Sequence, residues 1–173
     1  IFVKNDTTRC LGTLQGSAND SIWKVEHHHV NGLDGKVSRM EVNSAILDYD
    51  NRCLDIVGGT NSAQVFGCHA GPNQRWNYDW SGEIRQGNLC LEANSAQIHT
   101  WPSLAPGQVR KATVRTAACN GSEFQKWTVT DAGQIRMFSD MCLDIEGGTS
   151  VDQARVQIYP CHGGNNQRWR NTF

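Results

Sequence analysis

A short pattern, Cys-x5-Gln-x-Trp, occurs three times in the chain: at Cys68, Gln74 and Trp76, at Cys119, Gln125 and Trp127, and at Cys161, Gln167 and Trp169. An earlier cysteine leads each copy and is followed by Leu and an acid: Cys53-Leu54-Asp55-Ile56, Cys90-Leu91-Glu92-Ala93 and Cys142-Leu143-Asp144-Ile145. Self-similarity with a period of about 20–50 residues marks a repeat architecture in which no unit buries its apolar face alone. The step from the second cysteine to the Trp is identical in all three copies, whereas the step between the two cysteines varies. Fixed ends around a variable middle describe packed ends joined by a surface loop. Pairing within each repeat is therefore expected: Cys53–Cys68, Cys90–Cys119 and Cys142–Cys161.

The chain holds seven cysteines, so this pairing leaves Cys10 over. It is free, joined to another chain, or paired with something outside this sequence. Tight CxxC pairs are absent, which removes the usual zinc and redox signatures. Dispersed cysteines in a chain of 173 residues with only 38% hydrophobic content point to disulfides and an oxidising, secreted or extracellular setting. Glycosylation tripeptides at Asn5, Asn19 and Asn120 agree with secretion. Lys+Arg 16 against Asp+Glu 17 excludes the basic footprint of a nucleic-acid binder and a polybasic membrane anchor. No apolar run approaches the roughly 20 residues of a membrane span. The chain begins at Ile1 with neither Met nor a signal-peptide pattern, and so reads as a processed or excised piece.

Between the motifs, short apolar alternations such as Gly82-Glu83-Ile84-Arg85 and Gly133-Gln134-Ile135-Arg136 read as strands of about five residues. Gly58-Gly59 and Gly147-Gly148 occupy matching turns after the Cys-Leu-Asp-Ile strands. Capped helical periodicity is missing, so a nearly all-β chain is expected.

These residues resemble the ricin-type lectin family, the (QxW)3 β-trefoil, over residues 43–173. The resemblance implies an all-β trefoil: three four-stranded repeats about a pseudo-threefold axis, closed into a barrel by three hairpins. Residues 1–42 then form an N-terminal extension or linker. The Gln-x-Trp pairs read as structural, with each Trp in the shared core and each Gln fixing the turn before it.

In this family a sugar site combines an Asp after the first Cys, a polar residue and an aromatic four and two positions before the second, and an Asn preceding Gln-x-Trp. The chemistry suits a pyranose. A carboxylate accepts from adjacent hydroxyls, an aromatic ring offers a flat apolar face, and an amide both donates and accepts. The third repeat supplies the full set: Asp144, Gln157, Tyr159 and Asn166, with Gln167 beside them. The first repeat supplies Asp55, Gln64, Phe66, Asn73 and Gln74, with a ring lacking a polar handle and a shorter loop. The second carries Glu92, Arg115, Ala117 and Phe124 at these positions and is expected to be inactive. Its longer loop holds Trp101 just before Pro102 in the segment Trp101–Gly107, either covering its own scaffold or touching a partner or an extended glycan.

Enzyme readings are weaker. Cys68-His69 and Cys161-His162 invite a nucleophile–base pair, but their cysteines hold disulfide positions, and neighbours in a strand face opposite ways. These histidines are therefore expected in loops. A glycosidase needs two facing carboxylates, whereas Asp55 and Asp144 belong to different repeats. No phosphate loop or dinucleotide fingerprint appears; neither cofactor nor metal is expected, and His27-His28-His29 reads as a solvated loop. The N-terminal extension carries a faint echo of the repeats in Cys10-Leu11 and Ile22-Trp23-Lys24-Val25. The expected function is a non-catalytic lectin domain, with galactose or N-acetylgalactosamine glycans implied by the resemblance. The alternatives are the targeting or assembly subunit of a toxin or haemolysin, joined through Cys10 or the extension to a second chain, the carbohydrate module of a larger enzyme, or an interaction trefoil with relic sites.

Overall fold

The computed structural model describes residues 43–171. Cys10, the sequons at Asn5 and Asn19, the echo at Ile22–Val25 and the histidines 27–29 lie outside the described residues. The disulfides Cys53–Cys68, Cys90–Cys119 and Cys142–Cys161 all form, as the repeat pattern predicts.

Ten short strands follow one another: β1 (Cys53–Ile56), β2 (Ala63–Phe66), β3 (Asn77–Tyr78), β4 (Ile84–Gln86), β5 (Leu89–Ala93), β6 (Ala112–Ala118), β7 (Thr128–Val129), β8 (Ile135–Met137), β9 (Met141–Ile145) and β10 (Ala154–Pro160). Strand β6 shows why these segments extend: Ala112, Val114 and Thr116 turn inward while Thr113 and Arg115 face solvent, the period-two alternation of a half-buried strand. Each repeat contributes a long hairpin, β1–β2, β5–β6 or β9–β10, in the same register. The acid faces the residue four before the second cysteine: Asp55 opposite Gln64, Glu92 opposite Arg115, Asp144 opposite Gln157.

The second strands of the three hairpins meet around the pseudo-threefold axis. Strand β10 pairs with β2 through Ala154 and Val65 and with β6 through Gln157 and Thr113, and a Ser62–Arg115 bridge joins β2 to β6. The circuit closes where Leu47 and Arg170 exchange N–H···O bonds of 2.8 and 2.7 Å. Closure removes the open strand edges that a sheet this short would otherwise expose to other chains.

The core repeats as well. Ile46, Ile84 and Ile135, then Leu54, Leu91 and Leu143, then Trp76, Trp127 and Trp169 are all buried at corresponding positions. Each indole N–H donates to the carbonyl of the Leu beside the acid in its own repeat, at 3.0, 2.9 and 2.9 Å. This satisfies the single polar atom of a side chain that otherwise contributes only apolar area. Among the described residues no helix is long and apolar enough to cross a membrane.

The longest excursion lies within the second repeat. One short helix, α1 (Ser95–Ile98), interrupts the β chain because the Asn94 side chain caps it, accepting from the N–H groups of Ala96 and Gln97. Trp101 then folds back onto the core, its indole donating to the Lys111 carbonyl at 3.3 Å while Arg110 lies 5.6 Å over the ring. It covers its own scaffold.

Loop length orders the disulfides. Cys90–Cys119 spans 29 positions, Cys142–Cys161 spans 19 and Cys53–Cys68 spans 15. Replacing either Cys90 and Cys119 or Cys53 and Cys68 by Ser is expected to cost about 3–4 kcal/mol, with the longer loop costing roughly 0.6 kcal/mol more. Urea unfolding midpoints check the order; equal midpoints count against the loop-entropy account.

Candidate functional site

Strand β9 carries Asp144 into a nearly sealed pocket in which three amides converge on its carboxylate. Gln157 Nε2 donates to Oδ1 at 3.0 Å, and Asn166 Nδ2 and Gln167 Nε2 donate to Oδ2 at 2.7 and 3.0 Å. The first repeat builds the same cluster. Asp55 accepts from Gln64 at 2.8 Å, Asn73 at 2.8 Å and Gln74 at 2.9 Å. Four of the five expected residues of each repeat, the acid and three amides, thus fall in one place. Tyr159 and Phe66 lie partly exposed toward the ends of β10 and β2.

Gln167 also closes the turn around the site. Its Oε1 accepts from the His162 N–H at 2.8 Å, and its Nε2 reaches the Pro160 carbonyl at 3.0 Å. Gln74 and Gln125 do the same in the other repeats. The glutamine of Gln-x-Trp therefore ties the turn to the acid, while the Trp two residues on anchors it in the core.

Sequence reasoning placed His69 and His162 in loops and missed what they face. Their Nε2 atoms lie 3.4 Å from Asp55 and 3.5 Å from Asp144. The rule that neighbours point opposite ways does not hold here, because β2 ends at Phe66 and β10 at Pro160 and the chain has left the strand. Nδ1 of each ring accepts a backbone N–H, from Gly71 and Gly164 at 3.2 Å, which turns Nε2 toward the acid. Each ring also meets its neighbouring aromatic edge-on, His162 with Tyr159 at 5.9 Å and His69 with Phe66 at 6.2 Å. The acids are about 2% exposed and the imidazoles nearly half, so the histidine forms the outer layer. A hydroxyl bonding to either acid must shift that ring or share the carboxylate with it. One signal was available: His follows the second cysteine only in the two repeats that also keep the aromatic and the Asn.

Gly71 and Gly164 make room for this layer. A Cβ on Gly164 would lie 2.7 Å from the His162 ring and 2.8 Å from Asn166 Oδ1, and one on Gly71 would meet His69 and Asn73 at 2.5 and 2.8 Å. The backbone itself accepts a side chain there: Ser122 occupies the matching position with φ −65°, as does Gly164. Gly164→Ala is therefore expected to fold, at a cost of about 1–3 kcal/mol, because the added Cβ displaces His162 and Asn166 and the buried Asp144 loses the Asn166 bond. Sugar titration of the variant checks it: unchanged affinity means these two residues do not matter to the site.

Burial pushes the Asp144 carboxyl above the usual aspartate range, and the bonds from Gln157 and Gln167 and the nearby His162 offset this only in part. A buried acid held by neutral amides without a matched cation is a structural expense of the kind concentrated at functional sites. The second repeat removes that expense. Arg115 donates to Glu92 from two nitrogens at 3.2 and 2.9 Å, Ala117 stands in place of the ring, and Phe124 turns away to pack edge-on against His99 and Phe138.

The described residues contain one grouping with metal-ligand geometry, Glu83 with Cys90 and Cys119. Its sulfurs are bonded to each other, and Lys126 and Arg85 hold the carboxylate. These donors are spent.

Comparison with known proteins shows the family and the fold. The family model described as "Ricin-type beta-trefoil lectin domain" matches residues 42–108 and again 104–172. Serine protease 1 of Rarobacter faecitabidus is 27% identical over 132 residues, which cover 73% of this chain and 23% of the protease. The agglutinin of Abrus precatorius is similar in structure with a TM-score of 0.58 and 25% identity, over 75% of this chain and 46% of that one. A non-toxic homologue of type II RIPs from Momordica charantia (bitter gourd), solved in complex with α-methyl-D-galactoside, has a TM-score of 0.59 at 18% identity, over 76% and 48% of the two chains. The chain therefore spans under half the length of each of these three relatives.

Proposed function

Since the chain belongs to the ricin-type β-trefoil lectin family, a family of carbohydrate-binding modules, we propose that it binds galactose- or N-acetylgalactosamine-type glycans without catalysing a reaction. The main site is that of Asp144, Gln157, Tyr159, Asn166 and Gln167, and the second is that of Asp55, Gln64, Phe66, Asn73 and Gln74. One observation carries this reading: the two repeats that keep an aromatic ring hold their acids with amides that match bond for bond, while the repeat that lost the ring has its acid neutralised by Arg115. The galactoside bound by the bitter gourd protein gives the sugar class its support. A shallow monosaccharide site desolvates few atoms, so affinity near millimolar is expected, and useful avidity comes from two sites acting together.

The test is a glycan array run on wild type, Asp144→Asn, Asp55→Asn and the double variant. Galactose-terminated glycans are expected to be retained by wild type, weakened by each single change and lost in the double variant. Retention by the double variant would falsify both site assignments.

A wider reading follows from coverage. Because the protease and the agglutinin extend well beyond the matched region, we further propose that this domain targets a larger secreted protein or a partner chain, such as a toxin or an enzyme, to cell-surface glycans. Cys10 and the extension 1–42 are the proposed point of attachment. Gels of the protein from its native source, run with and without reductant, test the covalent version; identical migration removes it.

A further inference from the structure

A groove of about 680 Å³ opens beside the Asp144 cluster, within the range of about 300–1,000 Å³ typical of ligand sites and larger than one pyranose ring needs. Its floor is the outer face of β10, where period-two alternation sets Arg155, Gln157 and Tyr159 on one side. Gln157 and Tyr159 thus border both the groove and the acid cluster, and Gln157 bonds directly to Asp144. The far wall is the long loop of the second repeat, which presents Trp101, Leu104 and Val109. Lys111 of that loop reaches Glu146 of the third repeat at 3.5 Å, so an ion pair links the two walls.

The wall is held in place before any ligand arrives. Gln97 Oε1 accepts from the Thr113 N–H at 2.7 Å and from its hydroxyl at 3.1 Å, tying α1 to β6, and the Trp101 indole is bonded to Lys111. A preformed wall spares a ligand the cost of ordering it. Charges of both signs (Lys111 and Arg155 with Glu146), side-chain amides and an apolar strip suit a polyhydroxylated chain. Among the described residues the neighbour of the first-repeat site is instead a short turn of the third repeat, where Asp152 accepts from the Gly67 N–H at 3.0 Å.

We propose that this groove is an extension subsite, taking the second and following sugars of an oligosaccharide whose terminal sugar is held at Asp144. The inference rests on the reading of Asp144 as a sugar acceptor, and it makes the third-repeat site an oligosaccharide site while the first remains a monosaccharide site.

The test uses calorimetric titration of the full chain, carried in an Asp55→Asn background to isolate the third repeat, with methyl β-D-galactoside and with the neutral tetrasaccharide lacto-N-neotetraose. The tetrasaccharide is expected to bind about tenfold more tightly than the monosaccharide. Leu104→Ser with Val109→Ser removes the apolar strip and is expected to cut that margin to about threefold or less while leaving the monosaccharide affinity unchanged. Lys111→Ala, at an exposed position where folding is not at stake, is expected to move the margin in the same direction. A tetrasaccharide that binds no better than the monosaccharide, or a margin that survives both variants, overturns the groove and leaves Asp144 standing. If neither sugar binds, the Asp144 reading falls and the groove with it.

Discussion

Asp144→Asn is expected to eliminate measurable monosaccharide binding at the third repeat while the protein stays folded. A hydrogen bond to a charged group contributes about 1.5–3 kcal/mol, or roughly 10- to 150-fold in affinity, and a millimolar site cannot lose that and remain visible. The fold survives because the amide can be accommodated. Its oxygen takes the place of Oδ2, accepting from Asn166 and Gln167, and its nitrogen faces Gln157, whose own amide flips to accept. Asp144→Ala has no such solution. It strands three amide donors in a buried site, at about 1–3 kcal/mol each. Acidity provides a second readout. With the Asp144 carboxyl raised in the folded state, its ionisation disfavours folding at neutral pH, and this penalty disappears as pH falls through the folded value. The stability of Asp144→Asn relative to wild type should therefore be most favourable near neutrality and decline in acid. Paired thermal melts and sugar titrations from neutral to acidic pH decide it; an unfolded Asn variant, or one that binds normally, sinks the account.

Trp169→Ala is expected to cost about 3–5 kcal/mol for the lost apolar burial and the cavity together, with a further penalty because the buried Leu143 carbonyl loses its indole donor. Against a typical total of about 5–15 kcal/mol, that leaves a protein near the edge of folding. Trp80→Ala is the internal control. That side chain is 86% exposed at a hairpin tip, and its removal should change stability by no more than about 0.5 kcal/mol. Urea titrations of the two variants measure the contrast. Comparable midpoints would mean that the third Trp of the repeated motif does not anchor the core.

The relation between sequence and structure is clearest where a contact lies inside one repeat. The cysteine pairs, the indole-to-Leu bonds and the amide cluster on each acid all join residues of the same copy of the motif, so a pattern repeated three times exposes them. The histidines show where reading fails. His162 follows Cys161 in sequence, yet its ring turns back on Asp144 because the chain bends just past β10 and Gln167 pins the bend. Neither periodicity nor composition encodes that direction. The Phe124 ring is a similar case: the sequence shows that it replaces an Asn, and only packing against His99 and Phe138 shows where it goes.

The sequence by itself determined the threefold repeat, its three internal staples and a nearly all-β chain, because each depends on short-range spacing and on which side chains must leave water, while the trefoil and the two repeats that carry the proposed sugar-site residues came through the resemblance to the ricin-type family. Tertiary structure alone decided that the long loop of the second repeat stands as a wall beside the acid of the third. That juxtaposition arises where β6 meets β10 across the pseudo-threefold axis, a contact between repeats. Spacing within a repeat carries no information about its neighbour; the closure of the three lobes on one shared core supplies it.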